Sequence, residues 1–212
     1  MADSLPFDDR TDAGERLAAL LAERGIDADL VLAIPRGGLP VGRAVADALA
    51  APLDVIVARK VGAPENPELA VGAVGPDGSL WRNDALIAQL NVPEPYVETR
   101  ATEEAEAARQ KRERYRGERE PLDLDGKVAL VVDDGVATGA TTIVCLRQVR
   151  AAGADRVVLA VPVAPPGVVS DLREEADEVI ALATPAQFGA VGRFYRSFEQ
   201  VPDERAMAYL DG

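Results

Sequence analysis

Asp133 and Asp134 are neighbours at the end of an apolar, mostly β-branched run, Val128 to Val132. Gly135, Ala137, Thr138, Gly139, Ala140, Thr141 and Thr142 follow within eight positions. Adjacent carboxylates repel unless something cationic or hydroxyl-rich lies between them. The small and hydroxylated residues then lead into Ile143, Val144, Leu146 and Val149, which repeat with helical spacing. A loop of this composition at a helix N-terminus leaves backbone N–H groups free at the positive end of the dipole, and its natural guest is a phosphate. Two further stretches carry anion-binding chemistry. Pro35-Arg36-Gly37-Gly38 joins the apolar run Asp29–Ile34 to a helical pattern with Pro40 in its first turn and Val41, Val45 and Leu49 along one face. Its glycines admit a ligand close to the backbone, and Arg36 offers a fork to phosphate oxygens. Arg59-Lys60 closes the run Leu53–Ala58. Singly, these would serve as an ordinary turn and a solvated strand end; their joint occurrence points to a ligand with two separated phosphate groups and hydroxyls between them.

The elements that must position these groups alternate. Strands are expected at 29–34, 53–58, 128–132, 156–163 and 177–183, with helical patterns between most of them. This predicts an α/β fold, a mostly parallel, Rossmann-like sheet flanked by helices, with its core over about 29–183. In such sheets ligands bind beyond the carboxyl ends of the strands, where all three stretches would lie. An excursion over about 61–120 contains a hairpin, Leu69–Val74 with Ser79–Trp81, and a charged helix from Glu98 to Glu120 without an apolar stripe. That helix is expected to be solvated, with Glu106–Arg109 and Glu113–Arg116 paired at i,i+3; the alternative makes Lys111 to Arg116 the tip of a basic flap. A first helix carries Leu17, Leu20 and Leu21, with Thr11 as N-cap and a stop at Gly25. In the last section, Thr184 to Val201, Phe188, Phe194, Tyr195 and Phe198 either close the core or form a partial cap that stacks on a flat ring.

A chain of 212 residues is expected to form one domain, 1–212. Its net charge of −13 and pI of about 4.5 argue against nucleic acid and anionic membrane as partners. Without histidine, a His-based triad is excluded, and with Cys145 as the single cysteine so are a zinc site and intrachain disulfides. Cys145 falls in an apolar helical pattern and is expected to be a buried, inert thiol. No apolar run is long enough to cross a bilayer and the first ten residues are unlike a signal peptide, so the expected location is cytoplasmic.

Val131-Val132-Asp133-Asp134-Gly135-Val136-Ala137-Thr138-Gly139-Ala140-Thr141 resembles the signature of the type I phosphoribosyltransferases, except that Gly135 stands where an aliphatic residue or serine is commoner. The Pro35 to Gly38 corner is similar to that family's pyrophosphate loop, and Arg59-Lys60 to the basic residues ending its next core strand. With the C-terminal section, about 184–203, as its hood, the resemblance covers most of the chain from about Asp29 onward. It implies transfer of 5-phosphoribosyl from phosphoribosyl pyrophosphate to a nitrogenous base or related acceptor, with release of pyrophosphate. By resemblance, Asp133 and Asp134 hold the ribose hydroxyls and act in catalysis with Lys60, while Ala137, Thr138, Gly139, Ala140, Thr141 and Thr142 hold the 5-phosphate. Arg36, Gly37, Gly38, Arg59 and Lys60 would hold pyrophosphate, and Phe188, Phe194 and Tyr195 the base. Magnesium is implied, carried on ligand oxygens and water, as is a homodimer. Two other functions use the same parts: a non-catalytic sensor of phosphoribosyl pyrophosphate or a nucleotide, and a metal-dependent phosphate-ester hydrolase.

Overall fold

The computed structural model describes residues 5–120 and 122–211. In chain order the elements are α1 (Arg10–Glu23), β1 (Leu30–Ala33), α2 (Gly38–Leu49), β2 (Leu53–Val55), β3 (Arg59–Gly62), β4 (Ala70–Val74), β5 (Leu80–Arg82), α3 (Asp84–Gln89) and α4 (Glu94–Arg116). They continue as β6 (Val128–Val132), α5 (Ala140–Ala151), β7 (Arg156–Val163), α6 (Pro166–Leu172), β8 (Glu178–Ala183), a 3-10 turn (Val191–Phe194) and α7 (Asp203–Ala208).

Five strands pair in parallel in the order β2-β1-β6-β7-β8. The central strands β1 and β6, and β7 after Arg156, are continuous apolar runs because both faces are covered. Leu32, Val131 and Leu159 pack with Leu146 of α5 on one face, while Val31, Leu130 and Val158 pack with Leu17, Leu21, Val41 and Val45 of α1 and α2 on the other. The chain runs from β1 outward to β2, then returns to lay β6 on the other side of β1. The carboxyl ends of β1 and β6 therefore flank the point where strand order reverses, which opens a crevice in folds of this kind. Arg36-Gly37-Gly38 leaves one side of it and Asp133-Asp134 the other.

The excursion forms a second, antiparallel sheet, β3-β4-β5, and the expected hairpin is its β4–β5 pair. Two expectations change here. The run Leu53–Ala58 does not carry Arg59 and Lys60 off its end: β2 stops at Val55, and the two cations open β3. Nor is the charged helix simply solvated. Val97, Ala101, Glu104, Ala105, Ala108 and Tyr115 of α4 are buried, with Val97, Ala101 and Ala105 against Val61, Val71 and Val74 of the small sheet. The buried stripe is mostly alanine, so its apolar signal is lost among long charged side chains. Glu106 and Arg109 pair as expected, whereas Arg116 reaches Asp54. Among the described residues, no helix is long and apolar enough to cross a membrane.

The N-cap of α1 is Asp9, not Thr11: its carboxylate accepts from Thr11 N at 2.8 Å and Asp12 N at 3.0 Å. Asp9→Ala should cost about 1 kcal/mol of stability, read as a lowered urea midpoint, and Thr11→Ala should leave that midpoint nearly unchanged.

Candidate active site

The acid pair follows β6, where a strand buried on both faces from Ala129 to Val132 gives way to a loop. Asp134 N donates to Asp133 Oδ1 at 2.8 Å, folding the first carboxylate back on the chain. Asp134 Oδ2 accepts from Arg10 Nε at 2.6 Å, with the two side chains only 12% and 14% exposed. Arg10 also donates to Glu199 O and lies 3.8 Å from the centre of the Phe198 ring. Burial and the adjacent Asp134 charge hold the Asp133 carboxyl above its usual range. Burial also raises Asp134, with the Arg10 guanidinium opposing it. Arg10 was not legible in the sequence as a functional residue. It stands 123 positions before Asp133 at the start of a packing helix, in a chain rich in arginine.

The loop after β1 closes onto this pair. A Cβ at Gly37 would sit 1.9 Å from Asp134 Oδ2, and one at Gly38 would lie 2.8 Å from Val132 O and 3.1 Å from Asp133 Cα. Glycine is required here by close approach, since Gly37 itself has ordinary right-handed dihedrals. Pro35–Arg36 is a cis peptide, and the Pro35 carbonyl accepts from Lys111 Nζ at 2.8 Å.

On the other side of the acid pair, Gly139 has φ of 81° and is the N-cap of α5. Ala137 and Thr138 are exposed, Thr141 is half-buried, and Ala140 and Thr142 are buried. The departure at Gly135 has a packing cause: a Cβ there would meet Val191 Cγ1 of the hood at 2.6 Å and Val163 Cγ1 at 3.0 Å. Cys145 is buried in α5, and burial pushes its thiol up, which keeps it unreactive.

Arg59 and Lys60 separate. Successive residues of a strand point to opposite faces. Arg59 turns to Glu104 of α4 at 2.5 Å, and Lys60 pairs with Glu68 at 2.6 Å. A cavity of about 430 Å³ is lined by Arg36, Arg59, Lys111, Arg114, Tyr115 and Asp203, with Ala107 and Gln110, but not by Lys60. The two cations occupy alternate faces of β3, so the structure brings Arg59 to Arg36 and places Lys60 beside Glu68. Lys111, which the sequence offered only as part of a flap, stands with Arg36 in its place.

Lys111 carries a lowered pKa of about 8, pushed down by burial, then by Arg59 of β3 and Arg36 of the loop, against the pull of Asp203 of α7 and Asp133 after β6. Its ordinary value is 10.5. Between these values the unfolded chain binds more protons than the folded one, so this group makes stability rise with pH from about 8 towards 10.5. Lys111→Met should remove that rise, seen by comparing urea midpoints of the two proteins across the interval.

The aromatic hood closes core. Phe188 and Tyr195 are buried with Phe7, and the chain near Phe7 bridges to Tyr195. Tyr195 Oη donates to Asp134 O at 2.5 Å, tying the hood to the acid pair. Neither ring presents a free face for stacking; Phe194 and Phe198 are half-buried at the rim.

Residues 74–192 match the family model for the phosphoribosyl transferase domain. A protein from two strains of Mycobacterium tuberculosis, named "Putative phosphoribosyl transferase", is 46% identical over 205 residues, covering 97% of this chain and 46% of the relative. The chain thus spans about half the length of the curated relatives it matches. The crystal structure of TT1426 from Thermus thermophilus is 44% identical with a TM-score of 0.80, over 97% of this chain and 98% of that one. The region matched by the family model includes the acid pair, the small loop and the Gly135 departure, and by these matches the chain belongs to the phosphoribosyl transferase family.

Proposed function

We propose that the chain transfers 5-phosphoribosyl from phosphoribosyl pyrophosphate to a nitrogenous base or related amine-like acceptor, releasing pyrophosphate. The observation that carries this reading is the contact between the Gly37-Gly38 backbone and the Asp133-Asp134 carboxylates at one end of the parallel sheet. A diphosphate on the first and a ribose on the second would be bonded to each other, as they are in this substrate. Asp133 and Asp134 accept from the ribose hydroxyls, with Arg10 as the standing counterion of Asp134. Ala137 to Thr142 offer backbone N–H groups and hydroxyls to the 5-phosphate at the start of α5. Arg36 and Arg59 face the leaving diphosphate.

Departure of pyrophosphate leaves positive character on the ribose ring. The arginines neutralise the leaving group and the carboxylates stand beside the developing charge, so positioning and electrostatics carry the step without a protein nucleophile. Among the described residues, no group of three or more His, Cys, Asp or Glu side chains could hold a metal. The donor set suits magnesium carried mainly on diphosphate and water oxygens, with Asp133 as the available carboxylate. When bound, that ion would supply further charge neutralisation to the diphosphate.

The test is to combine the protein with phosphoribosyl pyrophosphate, magnesium and a panel of purines, pyrimidines and other nitrogen heterocycles, and to follow pyrophosphate release. Release that depends on one acceptor is expected. Tight binding without turnover on any acceptor would replace this reading with a sensor, and breakdown regardless of acceptor would replace it with a hydrolase.

A further inference from the structure

The cavity beside Arg36 is lined mainly by positive charge. Arg36, Arg59, Lys111 and Arg114 line it with one carboxylate, Asp203, in a chain whose net charge is −13, and among the described residues only Arg59 of the four has another carboxylate partner, Glu104 of α4. Among the described residues Lys111 has no carboxylate within ion-pair distance; its ammonium is spent on the Pro35 carbonyl. Like charges crowded around a partly desolvated lysine cost free energy that an entering anion would recover.

Asp203 is placed as such an anion would be. One carboxylate oxygen accepts from Tyr115 Oη at 2.6 Å and lies 3.7 Å from Arg36 Nη1, and the other takes Arg114 Nη1 at 2.7 Å. Its two oxygens thus collect donors from α4 and from the Arg36 corner, the groups a bridging phosphate would collect. Asp203 reaches them from the first position of α7, a six-residue helix outside the main sheet. The neighbouring Glu204 is exposed and belongs to none of these contacts.

We propose that Asp203 fills the cavity between Arg36, Arg59, Lys111 and Arg114 as an internal counterion, which the diphosphate end of the ligand must displace. This rests on the reading of the Arg36 corner as a diphosphate loop and adds to it a second wall, supplied by α4, and a latch, supplied by α7. Substrate entry must then compete with Asp203, which sets affinity for the diphosphate end independently of the ribose and acceptor ends.

Calorimetric titration with inorganic pyrophosphate tests this, at constant ionic strength and with thermal melting of each variant as a check on folding. Asp203→Asn should bind pyrophosphate about 10-fold more tightly than the wild type, and Lys111→Met about 10-fold more weakly. Glu204→Gln removes the same charge one residue away and should change affinity less than 2-fold. Asp203→Ser removes the same carboxylate while keeping every donor of the cavity, should tighten binding in the same direction, and decides the matter if Asp203→Asn melts early. Equal tightening in Asp203→Asn and Glu204→Gln would reduce the latch to general electrostatics and overturn the proposal, as would unchanged or weaker binding in both latch variants. Arg36→Ala separates the two levels. Weaker binding there, with no change in Lys111→Met and Asp203→Asn, leaves the diphosphate loop in place and removes the subsite. Latch variants behaving as expected, in a protein that transfers phosphoribosyl to no acceptor, keep the subsite and remove the transferase reading.

Discussion

Under the proposed transfer, Gly37→Ala should lower turnover with phosphoribosyl pyrophosphate at least about 100-fold while leaving a folded protein. The added methyl would sit 1.9 Å from Asp134 Oδ2, far inside contact distance. The carboxylate cannot simply rotate away, because Arg10 holds it at 2.6 Å and Tyr195 holds the same residue's carbonyl. Either the Arg36 corner lifts off the acid pair or the ion pair with Arg10 opens. Both outcomes displace the diphosphate and ribose ends of the site by an amount comparable with a methyl radius, and a misplacement of about 1 Å costs on the order of 100-fold in rate. The accompanying loss of stability should be about 1–3 kcal/mol, as for other overpacked sites. Gly167→Ala serves as the control: it lies in α6 with nothing within 4 Å of the new methyl, and should be neutral or slightly stabilising. Wild-type turnover in Gly37→Ala would show that the contact between the two loops has no part in the chemistry.

Arg10→Met should destabilise the protein by about 3–5 kcal/mol at pH 7, the cost of leaving a shielded carboxylate without its partner. The methionine stem still covers part of Phe198, so the loss is chiefly electrostatic. It has a pH signature. Burial already raises the Asp134 carboxyl and Arg10 opposes that rise, so removing Arg10 lifts it further. An acid whose folded pKa lies above its unfolded value takes up a proton on folding, and its penalty fades as pH falls towards the unfolded value. The gap between wild type and Arg10→Met should therefore narrow from pH 7 to pH 5 in urea denaturation. Asp134→Asn in the same chain should recover part of the loss, because no charge is then stranded. A gap that widens on acidification, or strict additivity of the two substitutions, would remove the ion pair as the cause.

Several features of this molecule are written in short stretches of its sequence. The run Val128–Val132, the two carboxylates, the small hydroxylated loop and the apolar pattern after it predict a strand, a site and a helix N-terminus, and each is local. Arg36-Gly37-Gly38 likewise announces a corner that tolerates close approach. The parallel order of the main strands follows from their alternation with helices, and β7 and the β4–β5 hairpin fall within a residue of where the pattern puts them.

The remainder depended on the tertiary fold for identifiable reasons. Arg59 and Lys60 are adjacent in sequence, yet a strand turns neighbours to opposite faces, and only the placement of β3 beside α4 decides that Arg59 joins Arg36 and Lys60 does not. Lys111 and Arg114 sit on a helix whose buried face is mostly alanine, so no periodicity predicts that it packs, or that its far end delivers two cations to the Arg36 corner. Arg10 and Asp203 lie near opposite ends of the chain, and their partners, Asp134 and Arg114 with Tyr115, are fixed by how α1 and α7 close over the sheet. The sequence by itself determined the residue types of the site and the strand ends that carry them, because a strand, a loop and a helix start are set within about ten residues. Which charges face one another, and which already have an internal partner, was decided only when segments more than 80 positions apart came together, because ion pairing is a property of distance in space and burial, neither of which a local pattern encodes.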